Sequence, residues 1–235
     1  MYNGTLNRTR SQQVQVMRAF LNRTYSWMAA GLILTAFISW FTWQNPGLQA
    51  AVLDMRVVLV IIQLALVFSF GWVLSRVSAA VAGVLFSIYA VVTGLTLSAI
   101  FLVYSPAAIT SSFVSTAVMF GTMSLWGYTT RRDLTGWGNI LMMGLIGLLV
   151  AMVVNVFLGS GPLGFLISAV GVVLFALLTA YDTQKLREMA LHGVDDAQGQ
   201  TAEKLAIFGA LTLYLDFINL FLMLLRLFGG GRSSD

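Results

Sequence analysis

Apolar residues fall along the chain in seven long blocks, near 25–43, 57–75, 79–104, 108–129, 138–158, 162–182 and 205–227. A helix needs about 20 apolar residues to cross a bilayer, and each block comes close to that length. Membrane β-strands would be shorter and would alternate apolar with polar residues. Val173 to Tyr181 and Phe221 to Phe228 do not alternate. Helices satisfy every backbone polar group inside lipid, so the pattern predicts an all-α integral membrane protein with seven transmembrane helices. Turn signals separate the blocks at Asn45-Pro46-Gly47, Tyr104-Ser105-Pro106, Thr129 to Gly136 and Gly159-Ser160-Gly161-Pro162. The longest connection runs from Thr183 to Lys204. The expected organisation is an arm at 1–23, helical near its end, a membrane domain at 24–228 and a short tail at 229–235.

Composition sharpens this picture by exclusion. The chain of 235 residues is 58% hydrophobic and 9% charged, against about 45–50% and 25% in soluble domains. A soluble fold and a disordered chain are both excluded. The absence of cysteine removes disulfides, Cys-ligated zinc and thiol nucleophiles. His192 is the single histidine, so a His-rich metal site cannot form within one chain. No phosphate loop, His-Glu-x-x-His or Ser with a nearby His base is present. The expectation is a protein that is not an enzyme and holds no tightly bound cofactor. No cleavable signal peptide is evident.

The net charge of +4 matters less than its distribution. With connections numbered alternately, one side holds ten of the 13 basic residues: Arg8, Arg10, Arg18, Arg23, Arg76, Arg131, Arg132, Lys185, Arg187 and Lys204. The other side holds Arg56, Arg226 and Arg232. The positive-inside rule then places the N-terminus in the cytoplasm and the C-terminus outside. The bilayer is the expected partner, and nucleic acid is not. Trp40, Trp43, Trp72, Trp126 and Trp137 fall near span ends, as an interfacial belt would.

Two acids stand out against this background. Asp182 is expected to end the sixth span, and Asp216 lies inside the seventh. A carboxylate deep in a span costs roughly 2.5–3.5 kcal/mol on insertion scales, so such a group faces a partner, water or an ion, or keeps its proton. In an antiparallel hairpin of helices six and seven, equal depth needs a turn centred near 199. The polar segment Gly193 to Gly199 is centred near 196. The mismatch is about six residues, or ~9 Å at 1.5 Å per residue, so the spacing allows the pairing without requiring it. If the carboxyls meet, they share a proton. Such a pair could act as a latch or bind a hard cation such as Ca²⁺. The alternative is separate satisfaction, Asp216 by Asn219 and Asp182 by water, Lys185 or a helix terminus.

Other polar residues are weaker candidates. Gln63 and Asn155 could line a polar path, although interhelical hydrogen bonds are the commoner use of such groups. Arg76 could pair with Asp182 or anchor to headgroups. Arg226 is expected to snorkel. Gly83, Gly94, Gly121, Gly144 and Gly147 are expected to permit close helix packing. His192 reads as a loop residue, and Asp195 with Asp196 as a solvated acidic turn. An intramembrane aspartyl protease would also use two acids, but Leu215-Asp216 does not fit its Gly-x-Gly-Asp motif.

The segment Leu213-Tyr214-Leu215-Asp216-Phe217-Ile218-Asn219-Leu220-Phe221 resembles the last-helix signature of the Bax inhibitor-1, or transmembrane Bax inhibitor motif, family. Tyr181-Asp182-Thr183-Gln184-Lys185-Leu186 resembles its penultimate-helix signature. Gly94-Leu95-Thr96-Leu97-Ser98 and Gly127 to Leu134 also look like the bacterial branch, and the likeness spans Arg23 to Phe228. The resemblance implies seven helices with the last one central among the other six. It further implies a pH-sensitive passive Ca²⁺ leak in the bacterial inner membrane. Asp182 and Asp216 would be the paired pH sensor and transient Ca²⁺ ligands, and Arg76 a latch at the end of helix two. Where some members carry a Glu on the ion path, the nearest match here is Gln63, so the path loses a charge. Asn219, beside the sensor, is a further candidate for that path. Other relatives modulate a membrane-bound AAA protease by binding it, and residues 1–23 would then be the contact.

Overall fold

The computed structural model describes residues 10–74, 76–192 and 200–229, and all regular structure among them is helical. The helices are α1 (Arg10–Gln44), α2 (Pro46–Asp54), α3 (Arg56–Leu74), α4 (Ala79–Leu97), α5 (Ile100–Val103), α6 (Pro106–Thr129), α7 (Gly138–Leu158), α8 (Gly161–His192) and α9 (Gln200–Gly229). Six stretches are individually long and apolar enough to span a membrane. The pair α2 and α3, bent by 70° at its break, supplies a seventh if it is one span.

Local chemistry sets the element ends. Pro46 and Pro106 open α2 and α6 at the first turn, where no N–H is needed. Ser105 caps α6 by accepting from the Ala108 amide at 3.2 Å. Gly159 closes α7 in the left-handed region, at φ 59°, which glycine adopts without strain.

The central element is α9. It packs against α1, α3, α4, α6 and α8. Ala206, Ile207, Ala210, Leu213, Tyr214 and Leu220 on it are fully buried. By contrast α7 packs on α8 and the turn before it, and leaves Val156 and Phe157 80% and 85% exposed. Apolar exposure on that scale would be untenable in water and is ordinary against lipid tails.

Four structural details refine the sequence reading, and the third span, expected at 79–104, is found at Ala79–Val103. The arm is helical from Arg10, as α1 runs unbroken through residue 23 and buries Met17, Phe20 and Leu21 in the main core. The Asn45-Pro46-Gly47 turn leads straight into α2, whose Gln49 and Val52 are buried. The third span is interrupted after Leu97, where the Ser98 hydroxyl donates to its own turn at Leu95 O, 2.6 Å away. Asp182 does not end α8: the helix continues to His192, carried by Leu186 and Ala190 buried on one side. At 32 residues α8 is about 48 Å long, well beyond a ~30 Å hydrocarbon core. His192 is thus helical. The Gly193 to Gly199 turn with Asp195 and Asp196, Arg8 in the arm, and Arg232 in the tail lie outside the described residues.

Candidate functional site

The site forms where α8 lies against α9. Small residues let these helices approach: Leu186 reaches Gly209 and Met223 reaches Gly171. In that register the residue opposite Asp182 is near Leu213, and Asp216 lies three residues further along α9. The offset is about one turn, ~4.5 Å, half of the mismatch expected from loop position. Two carboxyl side chains span it. Asp182 and Asp216 are in side-chain hydrogen-bond contact.

Their surroundings are unequal. Asp216 is 5% exposed and its Oδ2 has no hydrogen-bond partner. Asp182 is half-buried, with Lys185 acting on it electrostatically from one turn further along α8. Lys185 is exposed and also lies 5.9 Å from the centre of the Tyr181 ring. Beyond Asp216, towards the other end of α9, the walls are aromatic. Phe217 meets Phe113 and Phe120 edge-on at 5.7 and 5.4 Å. Two carboxyls in contact can form a hydrogen bond only when one keeps a proton. The pair can therefore hold a proton, or a cation in its place. Ca²⁺ takes six to eight oxygens, and among the described residues no group of three acidic, His or Cys side chains could hold a metal.

The basic end of α8 ties the site to the rest of the bundle. Gln184 is buried and uses both ends of its amide, accepting from Leu134 N at 2.7 Å and donating to Arg132 O at 2.8 Å. Arg187 donates to Tyr128 O at 3.1 Å. Thr183 donates to Ser124 on α6 at 3.4 Å, so the Tyr25 hydroxyl of α1 donates to Thr183, 3.3 Å away. Gly127 lies against the Ala180 backbone, where any side chain would overlap a carbonyl. At the head of α9, Glu203 pairs with Arg23 at 2.5 Å and accepts from the Trp27 indole at 3.0 Å. These anchors pin α1, α6 and the turn after α6 around α8 and α9.

The remaining candidates are placed differently. Gln63 donates to Thr93 at 3.1 Å, and its Oε1 lies 3.5 Å from the Thr96 hydroxyl, which donates to Val92 O at 3.0 Å, so it fastens α3 to α4. Asn219 donates to Leu215 O of its own helix at 2.8 Å, so its amide is not what satisfies Asp216. Asn155 accepts from Ser160 N at 3.2 Å and closes the turn between α7 and α8. Arg76 is exposed in the turn after α3. The sequence reading missed Gln184, Arg187, Glu203 and Tyr214 as organising residues. Gln184 and Tyr214 stood inside the two signature segments, where a hydrogen-bonding side chain in or beside an apolar span was the signal.

A bundle of membrane-spanning helices around a buried central one, with facing carboxyls on its last two, defines a class of integral membrane protein. A sequence profile described as "Inhibitor of apoptosis-promoting Bax1" matches residues 17–233. The chain belongs to this Bax inhibitor-1 family. It is 48% identical over 219 residues to the inner membrane protein YbhL of Escherichia coli K12, covering 92% of this chain and 93% of that one. It is 50% identical over 227 residues to an uncharacterized protein of Deinococcus radiodurans, covering 97% and 96%. A Borreliella burgdorferi relative is 39% identical over 226 residues, covering 95% and 97%. The likeness to YbhL and the apolar helices place the protein as a multi-pass protein of the inner membrane.

Proposed function

We propose that this protein is a pH-sensitive passive Ca²⁺ leak channel, without enzymatic activity, in which Asp182 and Asp216 form the sensor and a transient ion-binding step. The observation that supports this most is the meeting of two carboxyls inside the bundle, with one oxygen of Asp216 left without a partner. In the protonated state the pair is a hydrogen bond that holds α8 to α9. When both groups ionise, like charges in a low dielectric repel, and the pair opens or takes up a divalent cation. Proton and Ca²⁺ thus compete for one place. Two carboxylates are too few for a resting Ca²⁺ site, which suits passage rather than storage. Lys185, the cation beside Asp182, acts together with Arg76, the latch that the family resemblance implies. Gln63, engaged with Thr93 beside Thr96, steadies α3 and does not supply charge. The basic residues orient the N-terminus to the cytoplasm and the C-terminus outside.

The test is Ca²⁺ entry into dye-loaded liposomes that contain the purified protein, scanned from about pH 5 to 8, since coupled carboxyls titrate as a pair. Asp182→Asn and Asp216→Asn are run beside the wild type. A pH-dependent flux that both substitutions flatten supports the reading. No flux above empty liposomes, with the protein folded, overturns it. The protease-modulator reading would then move forward, with the exposed face of residues 10–23, which are helical and packed on the bundle, in its contact.

A further inference from the structure

At the end of the bundle opposite the acid pair's anchors, a cleft of about 850 Å³ opens between α7, α8 and the last turn of α9. Ligand sites commonly measure roughly 300–1,000 Å³, so the cleft is of binding size. Its walls are apolar, with Val153, Val156 and Phe165 among them, and these side chains also face outward to lipid. Its rim is polar and carries Tyr104, Asn155 and Arg226. Arg226 is exposed, and among the described residues it has no ion pair. The N-terminus of α8, a helix of 32 residues, opens on the same cleft at Gly161. Its partial positive charge adds to that of Arg226. An apolar slot open to the acyl region, capped by a cation and a helix N-terminus, has the chemistry of a phospholipid seen end to end.

We propose that this cleft is a binding site for an anionic phospholipid. One acyl chain lies along Val153, Val156 and Phe165. The phosphate sits on the Arg226 guanidinium beyond the first turn of α8, whose Leu163 amide is capped by Ser160, and the Tyr104 hydroxyl and the Asn155 amide NH₂ supply hydrogen-bond donors at headgroup depth. The site is independent of the acid pair and of the proposed ion flux.

The experiment uses delipidated full-length protein in detergent, titrated with phosphatidylglycerol or with phosphatidylcholine of the same acyl chains, and read by native mass spectrometry. Wild type is expected to prefer phosphatidylglycerol. Arg226→Gln is expected to weaken phosphatidylglycerol binding by roughly fivefold, the effect of one basic residue at an anionic surface, and to leave phosphatidylcholine unchanged. Arg226→Lys keeps the charge and is expected to retain most of the preference. Val153→Trp fills the slot from its lipid side, away from the core, and is expected to weaken both lipids. Equal binding of both lipids by the wild type overturns the proposal, as does an unchanged preference in Arg226→Gln. Displacement of bound lipid by inorganic phosphate alone would mean a free-phosphate site and would also overturn it.

Discussion

Tyr214 and Asp216 stand two residues apart on α9 and face different worlds. Tyr214 is fully buried, and its hydroxyl is 2.7 Å from Thr35, which donates to Ala90 O at 2.9 Å. Because Thr35 has one proton, Tyr214 is the donor between them. Its ring packs edge-on against Phe86 and Tyr89 at 5.7 and 5.9 Å. Asp216, about 200° around the helix, faces α8 with an oxygen that has no partner. The same contrast recurs on α8, where Gln184 has both ends of its amide engaged and Asp182, two residues before it, has another acid. Each helix therefore carries a satisfied anchor beside a carboxyl whose partner is another acid. The anchors have one good arrangement and fix the packing. The carboxyls have two, with and without a shared proton, and that is what a switch requires.

This contrast can be broken at its satisfied side first. Tyr214→Ala empties a buried aromatic site and is expected to destabilise the bundle by about 3–5 kcal/mol, read as a fall in thermal unfolding temperature in detergent. Tyr214→Phe, which removes the hydroxyl alone, is expected to lose only about 1 kcal/mol. Equal losses for the two would mean that packing around the ring contributes nothing. Next in size is Gln184→Ala. It strands the buried Leu134 amide and is expected to lose about 1–3 kcal/mol. Faster hydrogen exchange should appear at Leu134, and its absence would show that the anchor is dispensable.

The carboxyl side should behave oppositely. Asp216→Asn gives Asp182 a permanent donor, and replacing one member of a buried acid pair by a neutral isostere is expected to leave stability within about 1 kcal/mol. The same variant is expected to flatten the pH profile of ion flux. A large stability loss with an intact profile would reverse the assignment of anchor and switch. The smallest effect is expected outside the bundle. At Asp133, in the exposed turn after α6, hydrogen bonds from the Thr135 hydroxyl and then its amide hold the carboxyl below the ordinary carboxylate range. A lowered folded value means that its contribution is present above the unfolded value, about 4, and fades as pH falls through the lower folded one. Asp133→Asn is therefore expected to loosen this turn slightly near neutrality, where the wild-type contribution is present. It should then show no further acid-side loosening, seen in Thr135 amide exchange.

The sequence by itself determined that the chain is a helical membrane protein, where most spans begin and end, and which two acids are anomalous. Those are local properties. Transfer of apolar residues into lipid is decided segment by segment, and a lone Asp in such a segment is conspicuous without knowing its neighbours. What the tertiary structure decided is everything that depends on the relative placement of helices. The tail of α8 past Asp182, the packing of residues 10–23, and the small register offset between the acids all follow from how α8, α9 and α1 interlock. So do the duties of Gln63 and Asn219, which hydropathy marks as polar but cannot partner. In a span, the residue opposite is chosen by side-chain fit at a few close approaches, such as Leu186 on Gly209, and that fit is not a property of either segment alone.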